Sequence, residues 1–246
     1  MQNRTFARIG AISAAAVAGL SVLYAVAYLG ITPADQRGTD ADAFFRSYLS
    51  HPAGLRVASV CLLVSGPLVG LAVVALAGRL TPEGGQALAW AGVAGVTVGF
   101  ATAAHGLGDL IGTDELAQRY RAGDSAIRAS VIVAHQLPSP VDPRGLFTFG
   151  ATGLIVATLA LAARRSAPRL ARLGLVLGAD MVALFVATAA GVNAAVLVTG
   201  GLASVVLGPA WWLGAARMLW RTDAPIASAV GAGPRHAGHQ LTSAPI

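Results

Sequence analysis

The stretch LARLGLVLGADMVALFVATAAG, residues 170–191, decides the fold. It is apolar almost throughout, and four arginines precede or open it: Arg164, Arg165, Arg169 and Arg172. A helix of this length reaches ~33 Å at 1.5 Å per residue. That is enough to cross the ~30 Å hydrocarbon layer of a bilayer. Five further stretches qualify on the same arithmetic, near residues 10–31, 56–79, 87–108, 145–164 and 194–219. The whole chain of 246 residues is 55% apolar and only 11% charged. Soluble domains carry roughly 25% charge. This composition excludes a water-soluble globule, a disordered chain and a nucleic-acid module. The expected fold is an all-α integral membrane bundle of six transmembrane helices over residues 1–221, with the lipid bilayer as its first partner.

Two polar-flanked segments are too short in their apolar parts to cross. Residues 41–49 carry Phe44, Phe45, Tyr48 and Leu49, and residues 116–137 carry Arg119, Arg121, Asp124 and Arg128 before a short apolar run. Both read as extracytoplasmic surface helices. The outer connections are long, about 32–55 and 109–144, and long ordered loops carry function more often than short ones. Residues 222–246, rich in Ala, Gly, Pro and Ser, read as a disordered cytoplasmic tail.

Charge gives the orientation. All 17 basic residues are arginines. With a cytoplasmic N-terminus, the inner face holds ten arginines and two acids, and the outer face seven arginines and eight acids. The faces then carry +8 and −1, which the positive-inside rule reads as both termini in the cytoplasm of a cell with an inner (plasma) membrane. Arg4 and Arg8 ahead of an apolar run ending near Ala25-Val26-Ala27 also resemble a signal peptide. The run continues to Ile31, longer than a signal core, and this favours a retained anchor.

One charge belongs to no loop. Asp180 lies midway along the fifth span, where a carboxylate costs ~2.5–3.5 kcal/mol or more. It is expected to face the bundle interior, as a proton relay or the anchor of a substrate site. Ser65-Gly66-Pro67 and Gly208-Pro209 lie at similar depth in the second and sixth spans. Each proline removes a backbone hydrogen bond and clashes with the carbonyl four residues back, at Leu63 and Val205, so each helix is expected to bend. Asp180, Ser65, Pro67 and Pro209 together predict a midplane pocket for a small molecule or a proton. Six helices are few for alternating access, so this reading predicts a homodimer.

The third span ends in His105-Gly106-Leu107-Gly108-Asp109. Residues four apart share a helix face, so Asp109 is placed to orient the His105 imidazole. His51, Asp114, Glu115, His135 and Asp142 lie in the same outer region, and His105, Asp109 and His135 form the candidate outer-face site. That set suits acid–base or metal work on a lipid or isoprenoid. There is no HExxH, no paired CxxC, no phosphate-binding glycine loop and no GxSxG elbow, and the sequence names no cofactor. The single cysteine, Cys61, sits in an apolar run and reads as a packing residue. Small residues recur at helix-packing spacing, as Ala91, Gly95, Gly99 and Ala103 and as Gly174 and Gly178.

Asp142-Pro143-Arg144-Gly145-Leu146-Phe147, followed by a span, the Arg164–Arg172 turn and another span, is similar to an uncharacterised family of small bacterial polytopic membrane proteins. Gly208-Pro209-Ala210-Trp211-Trp212-Leu213-Gly214 fits the closing helix of such proteins. The resemblance covers about the last 105 residues. It implies a multi-pass membrane fold and lends no activity or site residues. Three functions follow from the residues alone: a transporter or binding protein around Asp180, a membrane enzyme at the outer His/Asp set, and a non-catalytic accessory or assembly subunit.

Overall fold

The computed structural model describes residues 4–29, 40–137 and 139–221. The described residues are helical with no strands. Six helices are long and apolar enough to cross a membrane. They are α1 (Arg4–Leu29), α3 (Ala53–Leu80), α4 (Gly85–Ala122), α6 (Pro143–Ala163), α7 (Pro168–Ala190) and α8 (Asn193–Trp220). Two shorter helices, α2 (Ala41–Ser50) and α5 (Ser125–Gln136), lie outside the spans. The first was expected; of the single helix expected over 116–137, residues 116–122 instead extend α4 and only Ser125–Gln136 forms α5. Both begin where an aspartate can cap: Asp40 accepts from two backbone N–H groups of α2, and Asp124 from two of α5. The tail from residue 222 lies outside the described residues.

The successive spans are antiparallel, so the chain has two distinct ends. One is arginine-rich, with Arg4, Arg8, Arg79, Arg164, Arg165 and Arg217 at helix termini. The other holds His105. At the arginine-rich end, α3 passes into α4 through Gly85, whose φ of 55° and ψ of −136° break an otherwise continuous 70-residue helical run. Only glycine takes that conformation without strain.

The arginine-rich half is close-packed. Ala14, Val73, Leu76, Leu88, Leu159, Trp211 and Leu219 are almost wholly buried against one another. Alanine and glycine set the spacing. A side chain at Gly10 would meet the Ala75 methyl, one at Gly95 would meet Val73, and one at Gly178 would meet the backbone of Gly153. Gly66 and Gly99 face each other so closely that each would strike the other's carbonyl region. The predicted small-residue stripes are therefore the helix contacts themselves.

Three expectations change in form. The third span does not end near residue 108. α4 runs on to Ala122, 38 residues in all, or ~57 Å at 1.5 Å per residue. No proline lies between Gly85 and Ala122, and a Glu115–Arg119 ion pair one turn apart supports the extension. α3 keeps helical backbone angles through Pro67; Gly66 serves close packing there. Distortion does occur at the second proline, as a π-turn over Leu202–Leu207 in which the Gly208 N–H reaches back to Ala203. That wider turn accommodates the missing donor and the crowded carbonyl of Pro209.

α2, α5 and the extension of α4 form a small lobe at the His105 end. Its core is Phe44, Phe45, Tyr48, Ala117, Tyr120 and Val131. The Tyr120 hydroxyl bonds the Asp42 carboxylate. Asp114 accepts from the Tyr48 hydroxyl at 2.5 Å and from Arg56 at 2.8 Å. Burial and the Asp114 bond both raise the Tyr48 hydroxyl above its ordinary pKa.

Candidate functional site

The His105 half of the bundle is hollow. A cavity of about 360 Å³ is lined by all six spans, from Tyr24 and Tyr28 on α1 to Ser204 and Val205 on α8. Below it lies a second cavity of about 120 Å³, bounded by Val17, Val69, Val156 and Trp212. Tyr24, Leu62, Thr148, Phe149, Leu184 and Ser204 line both, so the two form one axial space in two levels. The packed half closes its deep end.

One polar cluster stands on the upper wall. The His105 ring lies between two carboxylates, with Nε2 3.1 Å from Asp109 and Nδ1 3.1 Å from Asp142. Asp142 is fully buried. It sits just ahead of α6, where Arg144 and Gly145 take left-handed backbone conformations (φ 54° and 76°) and turn the chain into the helix. Asp142 Oδ1 accepts from the Phe147 N–H at 2.7 Å, and Oδ2 accepts from the Thr148 N–H at 3.3 Å and the Thr148 hydroxyl at 2.5 Å. Thr148 in turn meets the Thr102 hydroxyl at 3.2 Å, and both threonines line the deep cavity. Burial alone would raise the Asp142 carboxyl. The His105 ring, the Thr148 hydroxyl and the Phe147 N–H outweigh it and hold Asp142 below the ordinary carboxylate range. Such a buried, fully engaged carboxylate fixes the ring's tilt and tautomer.

Hydrogen-bond distances therefore run unbroken from Asp109, half exposed, through His105, Asp142 and Thr148 to Thr102. This array can hold a proton, orient an imidazole and present one carboxylate to whatever enters the cavity. Among the described residues, no group of three or more His, Cys, Asp and Glu side chains is placed to hold a metal ion.

The predicted site residues divide. His105 and Asp109 meet as expected and line the upper cavity. His135 goes elsewhere: its ring stacks on Phe44 at 4.3 Å and meets Phe45 edge-on at 5.1 Å, inside the lobe. Burial holds its pKa below the ordinary value. Of the midplane set, Ser65 lines the deep cavity, while Pro67, Pro209 and Asp180 line neither. Asp180 is half buried, and its Oδ2 has no hydrogen-bond partner among the described residues.

Sequence reading named Asp142 without placing it and missed Tyr24, Tyr28, Thr148 and Phe149. One signal was available for Asp142: an acid directly before a proline that opens a span is a helix-start pattern, although Asp142 makes no ordinary cap bond and reaches past the turn to the Phe147 and Thr148 N–H groups. No protein-family model matches the chain, and neither a curated protein nor a solved structure matches it.

Proposed function

We propose that this multi-pass membrane protein binds a small molecule in the axial cavity at the His105 end, as a transporter or a binding protein. The observation that carries the reading is the cavity itself: apolar walls from six helices, with one polar cluster of His105, Asp109 and Asp142 on its side. Ligand sites have this form, a mostly apolar concavity of some 300–1,000 Å³ with a few placed polar groups. The expectation of a pocket around Asp180 gives way to one around His105. One chain lines the whole cavity, so the predicted homodimer is not needed to complete it. Both termini are assigned to the cytoplasm of the plasma (inner) membrane on the +8 and −1 asymmetry, which puts the cavity on the outer side; reporter fusions within 109–144 and after residue 221 test this.

The test is a thermal-shift screen of the purified protein in nanodiscs against small cations, anions and neutral amphiphiles. Stabilising compounds should lose their effect in Ser204→Trp, which sets a bulky ring where the two cavity levels meet. Stabilisation that survives Ser204→Trp overturns the reading. So does failure of Ser204→Cys, in a Cys61→Ala background, to react with a water-soluble thiol reagent any faster than Ala72→Cys in the packed half.

A second reading has one specific observation in its favour. A buried carboxylate behind an imidazole is the pairing that makes a general base, and Asp142–His105 has it. An acid–base enzyme acting on a lipid or isoprenoid head would use Nε2 once Asp109 turns aside. Product formation from such lipids, lost in His105→Gln, would favour it over simple binding.

A further inference from the structure

We propose that the ligand of the axial cavity is an organic ammonium cation, with Asp109 as its counter-charge and Tyr24, Tyr28 and Phe149 as its aromatic surround. The inference rests on the cavity-binding reading above and adds the chemistry of the occupant.

The first argument is charge. Two carboxylates share one imidazole, so the cluster stays negative whether His105 is protonated or neutral. Asp142 is buried and its oxygens are occupied by His105, Thr148 and the Phe147 N–H. The residual negative charge is therefore expressed at Asp109, whose side chain is 49% exposed and lines the cavity. Arg144 is the other formally charged residue on the lining. It is exposed, and its guanidinium donates to the Ala189 carbonyl at 3.3 Å, tied to the end of α7.

The second argument is the surface around that carboxylate. Tyr24 and Tyr28 stack with ring centroids 5.9 Å apart, and Phe149 stands on the same cavity lining. Aromatic rings carry negative faces and attract cations, most strongly where water is excluded. A soft ammonium loses little hydration on entering such a site. A carboxylate or phosphate would lose much and would meet Asp109 in the same space. The apolar lower level, between Val17, Val69 and Trp212, has room for a hydrocarbon or aryl substituent.

The test uses three probes of similar shape: benzyltrimethylammonium, its uncharged carbon isostere neopentylbenzene, and benzenesulfonate. Binding to the full-length protein in nanodiscs is followed by calorimetry. The ammonium should bind saturably and more tightly than either of the others. Asp109→Asn and Tyr24→Leu should each weaken it by about tenfold or more; Asp109 is half exposed, so its amide variant folds. Ser204→Trp should abolish it. If the neutral or anionic probe binds as well as the ammonium and Ser204→Trp blocks it, the cavity reading stands and the cation assignment falls. If the ammonium shows no saturable binding, or binds unchanged in Asp109→Asn, the assignment is overturned. Binding that survives Ser204→Trp overturns both.

Discussion

The two halves of the bundle are built from the same six helices by opposite rules. In the arginine-rich half, Ala14, Ala72, Ala75 and Gly95 bring backbones together and Leu76, Leu159 and Trp211 fill what remains. In the His105 half, tyrosines, threonines and a shared imidazole stand around a cavity, while α3 and α4 stay in contact through Gly106. Small residues bring helices into close contact, as where Gly66 faces Gly99 and Gly178 faces Gly153, and where Gly95 receives Val73. Gly200 and Gly201 on α8 have no such partner; the nearest atom to a side chain at Gly200 would be a Leu184 methyl at 3.7 Å. These two glycines line the upper cavity and leave space there instead of making contact. The lesson is that the packed half carries stability and the hollow half spends its few polar groups on one cluster.

The largest expected effect breaks that cluster. Asp142→Ala leaves a partly buried imidazole, two N–H groups and a hydroxyl without their acceptor, at a cost of about 3–5 kcal/mol. Asp142→Asn should recover part of this, since the amide oxygen still accepts from Phe147. Chemical unfolding in mixed micelles measures both. The next experiment compares the halves directly. Leu76→Ala opens a void in dense packing and should cost about 2–5 kcal/mol. Leu184→Ala, at a residue equally buried but beside both cavity levels, only widens a space already present, and it should fall at or below the low end of that range. Equal losses at the two positions would mean that the cavity is not a real difference between the halves. A smaller effect tests how the halves are joined to the chain's reversals: Gly85→Ala, at φ 55° and ψ −136°, should cost about 1–3 kcal/mol.

The sequence showed the spans because a bilayer imposes a length and a polarity that no other fold shares. It showed the packed half as well, since small residues at four-residue spacing are a helix-contact pattern. It did not show the hollow half. Asp180 drew attention because an acid inside an apolar run is rare, yet the cavity lies beside Leu177, Met181 and Leu184 on the same helix, and Asp180 is not on its lining. A periodic pattern says which residues share a face of one helix, but not which faces six helices turn toward a common space. His105 and Asp109 were legible because they are four apart. Asp142 was named but not placed, because its contact with His105 crosses 37 residues and depends on the left-handed turn at Arg144 and Gly145. His135 looked like a site residue by type and location; the aromatic residues that claim it, Phe44 and Phe45, lie some ninety positions earlier.

The smallest effect separates the lobe from the cluster by their response to acid. His135 is held neutral between Phe44 and Phe45, with its pKa below the ordinary 6.5. In the opened lobe it binds a proton more readily, so between the two values the open form carries more protons and stability rises with pH. The lobe's contribution from His135 is thus complete above pH 6.5 and is lost as pH falls through the folded value. Asp142 has the same sign but another window. Its folded pKa lies below 3.8, so its contribution is present above that ordinary value and is lost only as pH falls through the lower one. Hydrogen exchange should therefore show amides of α5 opening faster at pH 5 than at pH 7 while those of Phe147 and Thr148 hold. His135→Phe should remove the response of α5, because the ring stacking is kept and the titrating nitrogen is gone. If Phe147 and Thr148 open together with α5 at pH 5, the lobe and the cavity cluster are one cooperative unit, and the hollow half behaves as a single structure down to the level of Thr102.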